Sequence, residues 1–343
     1  MHKFNFLLLI DASQGLQHEI AVFEVMLEKY KLSRRCEIEV IKMKMEDLTF
    51  NPKYRPIQFD EVSASVVINI VVFWERLVDC LLIYDSSLLK VFIPHPEINV
   101  PGTLKLLKYV DHIWHKTKLS IDAFKNHAHQ AAHLFTGWTS IDPNISVSNY
   151  RNFAHFRGKA SNRHSTQILN VWRQNTHYPE LRYHFYQELS NSWEEPFEFK
   201  EWLKCRNISI MSGKIDKNFY FNQLSECGIH LCLSGVEGFG HYINESRAMS
   251  AVVVVLNAPP MNELTDSNSG ILIDPTGCRE MGLVSCHTVG ENEIKFSIDE
   301  ILSLPETRLR ELGRTARECY LSQAQLFYER SSYLLDLIRQ DHN

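Results

Sequence analysis

"IHLCLSGVEGFGHYINESRAMSAVVVVLN", residues 229–257, carries in one stretch the alternation on which the fold turns. "IHLCLS" is an apolar run of strand length, "HYINESRAMS" has helical spacing, and "AVVVVLN" is β-branched through its centre. The segment therefore reads as strand, glycine-rich loop, helix, strand. A strand that returns through a helix lies parallel to its neighbour and is covered on both faces, so its apolar run shows no polar alternation. In a doubly wound sheet ligands sit beyond the carboxyl ends of the strands, which puts the loop "GVEGFG" at the mouth of a binding site. Gly238 and Gly240 let the backbone come close to a ligand. The helix opening near His241 aims free N–H groups and a positive dipole end at a phosphate or a sugar hydroxyl. Glu245 falls about one turn into that helix and can accept from a pair of hydroxyls, as on a ribose, while Glu237 can accept from a second polyol. The same spacing also fits a helix start whose glutamates face water.

The rest of the chain repeats the alternation. In the first half "KFNFLLLID", "CEIEVIKM", "ASVVINIVVF", "LKVFIPHPE" and "HIWHKT" read as strands, with helices at "LQHEIAVFEVMLEKY", "GTLKLLKYV" and "SIDAFKNHAHQ". The polar stretch "GWTSIDPNISVSNY", residues 137–150, breaks the pattern and reads as a linker. The alternation then restarts with "NFAHFRG", "LRYHFYQ" and "RNISIMSG" as strands, and "STQILNVWRQN" and "KNFYFNQLSEC" as helices. The tail from Ile298 to Ile338 reads as helix, its aromatic residues spaced as core. The expected organisation is a domain over 1–145, a second over 146–300 and a helical tail over 301–343. The fold class is α/β, two doubly wound parallel sheets facing a cleft. At 343 residues the chain exceeds one core, and two domains of about 150 residues each are the default.

Bulk properties exclude several classes. Hydrophobic content of 44% with 22% charged residues is that of a globular chain, and the net charge of −5 supplies no global field for nucleic acid or an anionic membrane. The eight cysteines include no CxxC pair, which reads as reduced thiols in a cytoplasmic protein. Cys278, Cys286 and His287 match no structural zinc spacing. The apolar core of "MHKFNFLLLIDASQG" is short for a signal peptide and reads as a buried first strand. "VVINIVVFWERLVDCLLIY" carries Asn69, Glu75, Arg76 and Asp79 and is no membrane span.

A second element joins the first. "FRGKASNRHSTQIL" sets Arg157, Lys159 and Arg163 in the first strand-to-helix turn of the second domain. Strand ends converge, so these cations reach the pocket of the Glu237 loop, where they would neutralise a diphosphate leaving group. Alone, the turn also fits an ordinary solvated basic loop.

Glu237 and Glu245, with seven residues between them that include Gly238-Phe239-Gly240, resemble the E-x7-E signature of retaining glycosyltransferases with the GT-B fold, of the group 1 or family 4 type. "GKASNRHSTQIL" resembles that family's phosphate turn, and "INIVVFWERL", "FIPHPE", "HIWHKTKLSIDAF" and "GWTSIDPN" resemble segments of a bacterial subgroup, over about residues 66–275. The resemblance implies two Rossmann-like domains and a metal-independent transfer that retains anomeric configuration, with no cofactor. It implies that Glu245 holds the ribose of a nucleotide-diphosphate-sugar such as a UDP- or GDP-sugar, with His241 and Tyr242 beside it. Glu237 and the backbone of Gly238, Phe239 and Gly240 would hold the donor sugar, Lys159 and Arg163 would stabilise the departing diphosphate, and Gly213 and Lys214 would pass near the nucleobase. The acceptor would be a glycan, glycolipid or lipid-linked chain, as in polysaccharide biosynthesis. The enzyme would be cytoplasmic, at the inner face of a membrane where its acceptor is lipid-linked. The sequence departs from the family where "SRAMSAVVVV" sets Ser250 and Val252 in place of a glycine and a proline, and where "DASQGLQH" has Gly15 alone in a normally glycine-rich loop.

Other signals are slighter. His95, in a loop at a strand's end in the first domain, faces the cleft as a catalytic or sugar-contacting group, or orders the Pro94–Pro96 turn. Gln14 and Gly15 stand on the acceptor side. His129 and His133, one turn apart on a helix, have the spacing of metal ligands, with His127 pointing elsewhere, and read as a solvated face. Trp138, Thr139 and Ser140 fall at the hinge, in packing roles. A non-catalytic nucleotide-sugar-binding protein or partner subunit is the alternative, binding the donor without turnover. An epimerase or phosphorylase on the same fold would need free phosphate or a second acid.

Overall fold

The computed structural model describes residues 2–10, 14–44, 66–98, 101–128, 130–157, 163–185 and 201–342. The chain divides into two compact units: one of Met1–Ile141, Glu280–Val284 and Gln323–Asn343, the other of Asp142–Arg279 and Ser285–Ser322.

In the first unit β1 (His2–Ile10), β2 (Glu37–Lys44), β3 (Val66–Glu75), β4 (Leu89–Pro94), β5 (His112–His115) and β6 (Ala132–Phe135) form one parallel sheet in the order β2-β1-β3-β4-β5-β6. Among the described residues up to Ile141 its α-helices are α1 (Gln14–Arg34), α2 (Leu81–Tyr84), α3 (Pro101–Leu106) and α4 (Lys118–Phe124). β1 is buried from Lys3 to Leu9, with Phe4 and Phe6–Leu9 as its apolar residues. Phe23 of α1 packs edge-on against Phe6 of β1 and Trp74 of β3, with ring centroids 5.9 and 5.1 Å apart. Such pairs add about 0.5–1.5 kcal/mol beyond area burial.

The second unit holds β7 (Phe153–Arg157), α5 (Ser165–Gln174), β8 (Leu181–Phe185), β9 (Ile208–Ser212), α6 (Lys217–Ser225), β10 (Ile229–Leu231), α7 (His241–Ala248), β11 (Val252–Leu256), α8 (Met261–Leu264) and β12 (Gly270–Ile273). Its parallel sheet runs β12-β11-β10-β7-β8-β9. Strand order therefore reverses between β7 and β10, the place where a doubly wound sheet opens its ligand crevice. All five residues of β11 are buried, as a strand flanked by β10 and β12 and covered on both faces requires.

Four expectations need correction. The helix expected over "SIDAFKNHAHQ" ends at Phe124, and His133 lies on β6, so His129 and His133 do not share a helix face; His129 is outside the described residues. "HAHQAAHLF" passes instead into an edge strand, because pairing with β5 outweighs local helix preference. The helical tail is two helices, α9 (Glu291–Ser303) and α10 (Glu306–Asp341), separated at Leu304-Pro305, where proline cannot continue a helix. Tyr333 of α10 is 62% exposed rather than core. Finally, β13 (Gly277–Met281) and β14 (Val284–Thr288) pair as a ribbon absent from the sequence reading. The expected packing role of Trp138 is seen in its buried ring, 4.8 Å from that of Phe327.

Candidate active site

The site in the second unit is assembled where β7 and β10 end. Two buried histidines clamp these ends. His155 of β7 donates from Nδ1 to the Leu231 carbonyl, leaving Nε2 to accept from Ser165 Oγ, and His164 donates from Nδ1 to the Leu233 carbonyl. Burial pulls His155 down to about 3, so it stays neutral and keeps this tautomer. His164 is at φ +54 before α5, a left-handed conformation uncommon outside glycine.

Into this frame the "GVEGFG" loop folds with Gly240 at φ +101, the residue preceding α7. A Cβ at Gly235 would lie 2.3 Å from the His287 carbonyl oxygen, so glycine is required for the loop's contact with β14. Gly238, Phe239 and Gly240 are all buried. Ser234 Oγ donates to Glu237 Oε1 at 2.5 Å and pairs with the Tyr242 hydroxyl.

Arg163 enters from the β7–α5 turn. Its guanidinium lies 3.4 Å from the centroid of the Tyr242 ring, Nη1 donates to the Phe156 carbonyl at 2.7 Å, and Nε is 3.8 Å from Glu237 Oε1. Burial opposes its charge, yet Tyr242 and Glu237 hold its pKa above the ordinary value. Nε is buried with no hydrogen-bond partner among the described residues. A planar cation fixed by ring stacking and carrying an unused donor is suited to an anion's oxygen. Glu245, 3% exposed, lies deeper than Glu237, whose side chain is 19% exposed. Burial pushes the Tyr220 phenol well up, and the Glu245 carboxylate pushes it the same way.

Of the residues singled out in the sequence, Arg163, Glu237 and Tyr242 come together here, with Glu245 and the Gly238–Gly240 turn on the same loop and helix. His241 is half-buried, its ring centroid 5.1 Å from that of Phe239. Gly213, at φ +93, follows β9 two strands away from β7, accepts from His184 Nε2 and leaves Lys214 exposed. Lys159 lies outside the described residues, as does the side chain of Gln14; the backbone of Gln14 and Gly15 opens α1. Ser234, Tyr220 and the two clamping histidines escaped the sequence reading. Ser234 had a legible signal, a hydroxyl three residues before Glu237 at a strand's end.

His95 belongs to the first unit. Its Nε2 is 3.0 Å from Glu19 Oε1 and its Nδ1 3.4 Å from Glu97 Oε1 and 4.0 Å from Glu75 Oε1. Lys116 Nζ, fully buried, donates to Glu19 Oε1 at 2.5 Å and contacts His95 Nε2. Burial and Lys116 pull the imidazole down, and Glu19 and Glu97 outweigh them, pushing it up to about 9. Nε2 thus lies between Glu19 and Lys116, while Nδ1 faces Glu97 and Glu75. Among the described residues no His/Cys/Asp/Glu group is placed to hold a metal ion, and no helix is long and apolar enough to cross a membrane.

No protein-family model matches the sequence, and no curated protein is similar to it in sequence. Solved structures share its fold. Sucrose-phosphate synthase from Thermosynechococcus elongatus matches with a TM-score of 0.69 at 9% identity, over 98% of this chain and 99% of that one. A glycosyltransferase from Rickettsia africae matches at 0.67 and 12% identity, over 97% of each chain. Anabaena HepE in complex with UDP-glucose matches at 0.63 and 11% identity, over 97% of this chain and 99% of its own. The fold is the α/β GT-B fold of glycosyltransferases.

Proposed function

We propose that the chain is a metal-independent glycosyltransferase that moves a sugar from a nucleotide-diphosphate-sugar to a glycan or glycolipid acceptor with retention of configuration. The observation that carries this reading is Arg163, a half-buried arginine stacked on Tyr242 whose buried Nε donor is unused among the described residues, at the strand-order reversal and beside the start of α7. A departing diphosphate is the ligand such a group serves. Charge builds on its oxygen as the bond to the sugar's anomeric carbon breaks, and a fixed cation in a dry site stabilises that charge without reorganising. The diphosphate oxygen then takes the acceptor hydroxyl's proton as the new bond forms on the same face. Glu237, ordered by Ser234, would accept from donor-sugar hydroxyls, and Glu245 from the ribose. Lys159 would add a second cation. The donor to test first is a UDP-sugar, since HepE is complexed with UDP-glucose.

Thermal-shift titration with UDP, GDP, ADP, dTDP and CMP tests the reading on the wild type, Arg163→Ala and Glu245→Gln. Ligands that bind only the folded state raise the melting midpoint with concentration. One diphosphate should stabilise the wild type, with the shift lost in Arg163→Ala and reduced in Glu245→Gln. No shift with any nucleotide, or an equal shift in all three proteins, would overturn the assignment.

A further inference from the structure

Four side chains of the second unit close a ring in the candidate site, and Tyr242 is the member that touches both halves of it. On one side the Arg163 guanidinium lies 3.4 Å from the centroid of the Tyr242 ring. On the other the Tyr242 hydroxyl pairs with Ser234 Oγ, and Ser234 Oγ donates to Glu237 Oε1 at 2.5 Å. Arg163 Nε, 3.8 Å from Glu237 Oε1, completes the circuit. The members come from three places in the chain: the β7–α5 turn, the loop after β10 and the first turn of α7.

Counting protons fixes the direction of the hydrogen bonds. Serine has one hydroxyl proton, and here it goes to Glu237, so the Tyr242 hydroxyl donates to Ser234 Oγ. The phenol oxygen in turn accepts from the Ser234 N–H at 3.2 Å. Burial pushes the Tyr242 phenol well above its ordinary pKa, so it stays protonated and remains a donor at neutral pH. Two hydroxyls in series therefore hold one carboxylate oxygen of Glu237.

The ring acts on the cation instead. Stacking uses the flat face of a guanidinium and none of its N–H edges. Arg163 is anchored while Nη1 donates to the Phe156 carbonyl at 2.7 Å and Nε keeps no hydrogen-bond partner among the described residues. At 3.8 Å Glu237 Oε1 is too distant to take that donor. A loose arginine beside a carboxylate would close into a direct ion pair, and the stack opposes that movement.

We infer that Tyr242 is a positioning residue with two separable tasks: its ring holds Arg163 for a diphosphate, and its hydroxyl, through Ser234, holds Glu237 for the donor sugar. The inference rests on the glycosyltransferase reading for the identity of the two ligand groups. The hold on Arg163 can be read in the protein without any ligand.

Two variants part the tasks. Tyr242→Phe keeps the ring and deletes the hydroxyl, and Tyr242→Leu deletes both. In calorimetric titrations Tyr242→Phe should weaken UDP-glucose by about tenfold and UDP by less than about threefold. Tyr242→Leu should weaken both by about tenfold. Ser234→Ala should reproduce Tyr242→Phe, and the double variant should be no weaker than either alone, since both cut the same chain. NMR hydrogen exchange of the Arg163 Nε proton, without nucleotide, is the second measurement. Tyr242→Phe should leave that exchange slow, and Tyr242→Leu should speed it by about tenfold. Should Tyr242→Leu not fold, Tyr242→Phe and Ser234→Ala carry the test. A residue that only supports the fold would weaken UDP and UDP-glucose alike in Tyr242→Phe. That result, or an exchange rate unchanged in Tyr242→Leu, would overturn the inference. If the wild type binds neither nucleotide, the donor reading falls, and the exchange rates alone decide whether Tyr242 holds Arg163.

Discussion

Arg163 and Ser250 show how much a single backbone or side-chain position carries. Arg163 needs a planar fork to stack on Tyr242 while donating to Phe156, a geometry lysine cannot reproduce. Ser250 stands where the resembled family has glycine, and its φ of +63 explains that preference, because only glycine adopts this conformation without a Cβ penalty. Its role in the turn is carried by the backbone: its N–H donates to the Arg247 carbonyl and its carbonyl accepts from the Tyr150 hydroxyl. Ser250→Gly keeps both bonds and relieves the strain. Urea unfolding should therefore show a gain of about 0.5–1 kcal/mol, the relief being partly offset by glycine's freer unfolded chain. A loss would mean that the serine hydroxyl has a role the turn geometry does not reveal.

At the scale of elements, α10 is the part whose sequence said least about its task. Its first half, to Ser322, belongs to the second unit and the remainder to the first. Gly313 sits in its interior, where glycine costs about 1 kcal/mol of helix propensity relative to alanine. The reason is contact: a Cβ there would lie 2.1 Å from the Ser250 carbonyl oxygen and 2.8 Å from the Tyr150 hydroxyl. Helix propensity alone makes Gly313→Ala stabilising, and packing reverses the sign. The variant should unfold at lower temperature, with a loss of about 1–3 kcal/mol from overpacking, measurable by calorimetry. Unchanged stability would show that α10 slides freely over that turn. The second half is held otherwise, with Arg34 of α1 paired to Asp336 at 2.7 Å and Phe327 packed on Trp138.

Across the whole molecule, titration of buried histidines sets the pH at which the fold is strongest. Burial lowers His115 and His155 to about 3 and His230 to about 4. An unfolded histidine takes up a proton near pH 6.5, so below that pH the unfolded chain binds more protons and stability falls with acid. His95 has the opposite sign. Pushed up to about 9 by Glu19 and Glu97, it contributes fully below pH 6.5 and loses that contribution as pH rises to 9. The melting temperature should therefore peak near pH 6–7 and fall on both sides. Replacing His95 by Gln should flatten the alkaline limb and leave the acid limb in place; a limb that persists in the variant would remove His95 as its cause.

The alternation of apolar runs and amphipathic stretches determined the two parallel sheets, because a strand covered on both faces must be apolar throughout and a crossover helix must show its own period. The turn chemistry of residues 234–245 marked the second unit's candidate site for the same local reason: glycines, carboxylates and a helix start have their meaning within a dozen residues. What the sequence could not determine were partnerships between distant positions. Tyr242 beneath Arg163, His155 against Leu231, and Glu19, Glu75 and Glu97 around His95 join residues from different strands and helices. Each strand end is placed by sheet order, and sheet order follows from the packing of the whole unit rather than from any one segment. The ribbon β13–β14 and the passage of "HAHQAAHLF" into a strand were decided in the same way, by neighbours supplied only when the chain has folded.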